Sequence, residues 1–141
     1  VAEKVQQSVK VPLLHIADVV GKAITEKHLK KVALLGTKYT MLFDFYTRKL
    51  ADYGIETIIP DAEGVDFVNS AIYNELGKGK FLPETKQGFL HLIGKLAGQG
   101  AEGVILGCTE IPMLVKQEDT LVPVFDTTLL HATAAVDFAL Q

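Results

Sequence analysis

Gly103-Val104-Ile105-Leu106-Gly107-Cys108-Thr109-Glu110-Ile111-Pro112 is an apolar run that ends on the only cysteine of the chain and turns polar at once. Val104, Ile105 and Leu106 form a short unbroken β-prone run, the pattern of a parallel strand covered on both faces rather than an alternating edge strand. Gly107 lets the backbone turn without a Cβ clash, and Pro112 fits the first turn of a helix, where its missing N–H costs nothing. The stretch predicts a buried strand that delivers a thiol to a helix start. Cys108 then stands at the carboxyl end of a parallel strand, where open α/β sheets place their ligand sites. Free amides and the positive end of the following helix predict a setting that favours thiolate. The competing reading is a buried, inert cysteine, and the polar Thr109 and Glu110 beside it weigh against that.

The segments on either side repeat the pattern. Val5 and Val9 continue a helical spacing from Val1, and Val11-Pro12-Leu13-Leu14-His15-Ile16 reads as a short strand. Ala17 to Leu29 reads as a helix fraying around Glu26-Lys27-His28, followed by the strand Val32-Ala33-Leu34-Leu35. Leu42, Phe45, Tyr46, Leu50 and Tyr53 then predict one long amphipathic helix closed by Gly54. The strand Ile55 to Pro60 follows, then helices through Val65 to Leu76 and from Pro83 to Gly98. After the opening stretch come a last strand, Leu121 to Phe125, and a helix capped by Asp126-Thr127-Thr128, with Leu130, Ala134 and Phe138 recurring at helical spacing. Strands alternating with helices over connections too long for hairpins predict an α/β fold: a doubly wound, mostly parallel sheet with helices on both faces.

With 141 residues, 48% hydrophobic content and a net charge of -3, the chain is long enough to bury a real core. No basic stripe marks it for nucleic acid, and no apolar run reaches the roughly 18 residues a membrane span needs. A single cysteine makes no internal disulfide, which fits a reducing compartment and predicts a cytoplasmic location. The chain opens on Val1 inside a helical pattern, which reads as sequence continuing upstream. His15, His28, His91 and His131 show no spacing for a metal site with Cys108; His15 and His131 read as packing residues. Gly77-Lys78-Gly79 shares only composition with a phosphate loop.

Three strand ends carry polar clusters: Thr37-Lys38-Tyr39-Thr40, Cys108-Thr109-Glu110 and Asp126-Thr127-Thr128. A parallel sheet brings all three to one edge, where helix starts suit a carboxylate or phosphate. Singly, Thr40, Thr109 and Asp126 read as ordinary helix caps; together with the thiol they read as a site.

Val32-Ala33-Leu34-Leu35-Gly36-Thr37-Lys38-Tyr39-Thr40-Met41, Gly103 to Glu110 and Pro123-Val124-Phe125-Asp126-Thr127-Thr128 resemble the aspartate/glutamate racemase superfamily, nearest its aspartate racemase branch. The resemblance implies a cofactor-independent enzyme of two α/β lobes, with one cysteine from each lobe facing a small amino-acid substrate such as aspartate or glutamate. One thiolate removes the α-proton and the opposite thiol returns a proton to the other face, because inversion requires two opposed groups. By this resemblance Cys108 is the second-lobe cysteine, and Thr37, Tyr39, Thr40, Thr109 and Glu110 bind substrate. Glu110 stands where glutamate racemases place a histidine. A lysine that archaeal aspartate racemases carry before Gly79 falls on or beside Gly77, with Lys78 adjacent.

The first-lobe Cys-Asn-Thr motif of the superfamily does not occur in the chain. Residues 17–122 are accordingly expected to form the second lobe, with 1–16 and 123–141 remnants of the first, and the chain alone to be inactive. A homodimer is expected of the complete protein. Hydantoin racemases, maleate isomerases and decarboxylases on the same scaffold are the rival enzyme readings, and a lobe that merely holds a small anion is the rival outside enzymes.

Overall fold

The computed structural model describes residues 2–140; Val1 and Gln141, the outermost positions of the expected first-lobe remnants, lie outside the described residues. Four strands, β1 (Lys31–Leu35), β2 (Glu56–Ile58), β3 (Gly103–Leu106) and β4 (Val124–Asp126), form one sheet in the order β2-β1-β3-β4. All neighbours run parallel, with Ala33 opposite Val104 and Leu106 opposite Asp126. Helices follow the strands on both faces: α1 (Ala2–Ser8), α2 (Ile16–Glu26), α3 (Lys38–Leu42), α4 (Phe45–Ala51), α5 (Ala62–Asn74), α6 (Pro83–Gly98), α7 (Ile111–Leu114) and α8 (Thr127–Ala139).

The period of two along each strand divides the core into two layers. Ala33, Leu35, Val104 and Leu106 point to one face and pack with Val68, Ile72, Phe89 and Leu96 of α5 and α6. Val32, Leu34, Ile105 and Phe125 point to the other and pack with Val20 and Ile24 of α2 and with Tyr46 and Leu50 of α4. Burial on both faces explains why β1 and β3 read as continuous apolar runs.

Three expectations are corrected. Val11 to Ile16 is not a strand: Gln6 satisfies its backbone instead, its side chain accepting from Leu13 N–H and donating to Val11 C=O. His15 then caps α2, its Nδ1 accepting from Ala17 N–H. Second, the long helix after Thr37 is two helices, because its apolar residues serve different layers. Met41 of α3 joins the α5/α6 layer while Tyr46 and Leu50 of α4 join the α2 layer, which one straight helix cannot do. The chain breaks at Phe43, whose backbone is extended at ψ 146°, and leaves Leu42, Phe43 and Phe45 exposed at the crossing. Tyr39 stacks on Phe43 there with ring centroids 5.5 Å apart. Third, the last strand begins at Val124, with Leu121 fully exposed before it. Val124 to Asp126 pairs with β3 and completes this same sheet.

Candidate active site at the carboxyl edge of the sheet

β1, β3 and β4 all end on the same edge, and the parallel register sets their last residues side by side. Close packing at the two central strand ends depends on glycine. A Cβ on Gly36 would meet the Thr40 side chain at 2.9 Å, and one on Gly107 would meet Thr40 Cγ2 at 3.0 Å and Leu35 O at 3.2 Å. Thr40 thus wedges between the two strand exits, one residue from Cys108. We expect Gly107→Val to drive Thr40 out and to disorder Cys108; thermal melting and the loss of a single alkylation phase at the thiol check this.

Thr37 rather than Thr40 is the N-cap of α3: its Oγ1 accepts from Thr40 N–H at 3.3 Å and lies 3.2 Å from Thr40 Oγ1. Asn69 on α5 fastens this loop, its Oδ1 accepting from Lys38 N–H at 2.9 Å, while Lys38 Nζ pairs with Asp66. No pattern in the sequence singles out Asn69, since its partner lies 31 residues away. Tyr39 is exposed, its ring stacked on Phe43. Lys78 lies exposed in a 3-10 turn, Leu76–Lys78, that ends on Gly79 at φ 70°.

Cys108 is half-buried beyond β3, and its Sγ–H donates to Glu110 Oε2 at 2.7 Å. Thr109 is exposed beside it, and Glu110 occupies the N-cap position of α7 without a side-chain cap bond. Hydrogen bonds from Cys108 and Thr109 hold the Glu110 carboxyl below the usual carboxylate range, so it stands as an anion. The expected thiolate is corrected. Burial first, then the hydrogen bond to anionic Glu110, pushes the Cys108 thiol up to about 11. Amide groups of Glu110 and Ile111 act in the opposite direction, but α7 is only four residues long and its dipole is correspondingly small.

A raised thiol pKa favours the folded state fully below the ordinary value of 9.0, and that advantage is lost as pH rises toward about 11. Alkylation of Cys108 by iodoacetamide should therefore be slower than that of a free thiol at neutral pH, with its half-rate point displaced upward. Glu110→Gln should return part of that displacement; a pH-rate profile of the labelling measures both.

At the third strand end, Asp126 caps α8, its Oδ1 accepting from Thr128 and Leu129 N–H. His131 on the next turn contacts Leu14 O through Nε2 at 2.9 Å, so both His15 and His131 serve packing and capping. The structure thus gathers Thr37, Thr40, Cys108 and Glu110 along one edge and leaves Tyr39 and Thr109 on its open side.

The model of the Asp/Glu/hydantoin racemase family matches residues 1–135. An Asp/Glu racemase candidate from Yersinia pestis superposes with a TM-score of 0.95 at 45% identity, over 99% of this chain and 61% of its own. An aspartate racemase homologue from Pyrococcus horikoshii gives 0.93 at 39% identity with the same coverage. The broad-specificity amino-acid racemase RacX of Bacillus subtilis is 26% identical over 136 residues, which are 95% of this chain and 57% of RacX. The chain therefore spans about three fifths of the length of these three relatives.

Proposed function

The chain belongs to the Asp/Glu/hydantoin racemase family, and on that premise we propose that it supplies one half of a cofactor-independent amino-acid racemase site. Cys108 is the catalytic group; Thr37, Thr40, Thr109, Glu110 and Tyr39 bind or border the substrate. The observation that carries this is the half-buried Cys108 thiol at the edge shared by β1, β3 and β4, bonded to an anionic Glu110.

In one direction the protonated Cys108 gives its proton to the carbanionic α-carbon, the sulfur becoming thiolate while an opposing thiolate has taken the α-proton from the other face. In the reverse direction Cys108 reacts as the thiolate in which the forward turnover leaves it, taking the α-proton while the opposing thiol protonates the other face. Donors of the Thr37 loop hold the substrate carboxylate, whose approach to a dry edge strengthens each contact at the developing charge. The opposing thiol comes from residues outside this sequence, which holds one cysteine.

Residues 1–16 and α8 are assigned to that other lobe or its seam. Only Thr127 of α8 is buried, and Leu129, Val136, Phe138 and Leu140 are exposed, an apolar face larger than a lone lobe needs. The complete protein is a homodimeric cytoplasmic enzyme in this reading; no helix among the described residues is long and apolar enough to cross a membrane.

The test is a chimera in which this chain replaces the matching part of the Yersinia protein. In deuterium oxide it should exchange the α-proton of L-aspartate or L-glutamate and yield the D-isomer by chiral chromatography. A folded chimera that binds the amino acid yet leaves the α-proton in place would assign the lobe to anion binding instead.

A further inference from the structure

The peptide unit that precedes Cys108 is held from both sides. Its N–H, on Gly107, donates to Leu35 O of β1 at 2.7 Å. Its C=O, on Leu106, accepts from Thr127 Oγ1 at 2.9 Å. Thr127 is the first residue of α8, is 3% exposed, and is one of two buried polar residues among those described. Tyr46 of α4 is also 3% exposed, and the Thr127 side chain partly offsets the rise that burial gives its phenol.

A glycine separates this peptide from the thiol. Gly107 has no side chain to anchor it, so the peptide plane before it is the last fixed point from which the chain leaves β3 toward Cys108. Leu35 holds one edge of that plane through a strand neighbour. The hydroxyl of Thr127 holds the other edge, and a serine would retain it while a valine of equal shape would not.

We infer that Thr127 is a positioning residue for Cys108, acting through the Leu106–Gly107 peptide. The inference deepens the racemase reading and rests on it only for the catalytic consequence; the geometric claim stands on the chain itself. It also ties the start of α8 to the thiol, so whatever packs on α8 bears on where Cys108 points.

Cys108 is the only thiol, so alkylation of the whole chain reports on one site. Thr127→Val, Thr127→Ala and Thr127→Ser are compared with the parent by iodoacetamide labelling across pH, alongside thermal melting. Loss of the hydroxyl should loosen Cys108 from Glu110 and move the labelling midpoint down by about one pH unit toward the ordinary thiol range. Thr127→Ser should overlay the parent. A merely structural threonine would lower the melting temperature of the valine and alanine variants and leave the midpoint of the folded protein where it was, which would overturn the inference. Should the valine variant fail to fold, the alanine variant, labelled at low temperature, decides in the same way.

In the chimera, Thr127→Val should lower kcat by about tenfold while KM stays within about twofold, the signature of a misaimed group rather than a lost binding contact. An inactive parent chimera would count against the racemase reading alone, since the labelling midpoint is decided without it.

Discussion

Cys108→Ser in the chimera should lower kcat for aspartate racemisation by about three orders of magnitude or more, with KM changed far less. The α-proton beside a carboxylate is very weakly acidic, and sulfur is here the only strong nucleophile on the edge where Thr37, Thr40 and Glu110 converge. A serine hydroxyl keeps the size of the side chain and can still donate to Glu110, but its alkoxide is out of reach at neutral pH. Glu110→Gln should cost less, because it removes the anionic hydrogen-bond partner of the thiol and leaves the thiol in place. Equal losses from both would mean that thiol and carboxylate act as one unit. Progress curves started from each enantiomer separate these outcomes.

Phe89→Ala should cost about 4 kcal/mol of stability, a fall of about 10 °C or more in melting temperature for a domain of this size. Phe89 is fully buried on α6 and meets Phe67 of α5 with ring centroids 5.3 Å apart. It fills the layer between these helices and the Ala33, Leu35, Val104 and Leu106 face, so truncation leaves a cavity with little around it free to collapse. Phe43→Ala is the matched control. Phe43 is 58% exposed at the crossing between α3 and α4, and its loss should change stability by under about 1 kcal/mol. A large effect at Phe43 would mean that the helix is continuous and buries this residue.

The contrast between these two phenylalanines shows what was legible in the sequence. Both lie in stretches with helical spacing, and periodicity registers only that one side of a helix is apolar. For α6 the spacing of Phe89, Leu92, Ile93 and Leu96 meets a single layer, and Pro83 and Gly98 bound the observed helix as expected. For Leu42 to Tyr53 the same spacing conceals a change of layer, which depends on which face of the sheet each half meets. Val11 to Ile16 misled for a similar reason. Its composition suits a strand, but a strand needs a neighbour, and the Gln6 side chain took the backbone groups first.

The placement of the candidate residues was legible where geometry is local. Cys108, Thr37 and Thr40 follow from turns at strand ends, and the parallel order of the sheet brings them together. The thiol's proton affinity was not legible, because it is set by burial and by the way the Glu110 carboxylate folds back on the sulfur two residues before it. Asn69 and Thr127 escaped for want of any local signal: each acts on a backbone group of another segment, at separations of 31 and 21 residues.

In the proposed mechanism Cys108 works only against an opposing group that these 141 residues do not hold. The decisive experiment incubates the chain alone with L-aspartate in deuterium oxide and resolves the enantiomers by chiral chromatography. No D-aspartate should form above the protein-free blank. Catalytic formation of D-aspartate by the chain alone, abolished by Cys108→Ser, would mean that a single thiol suffices.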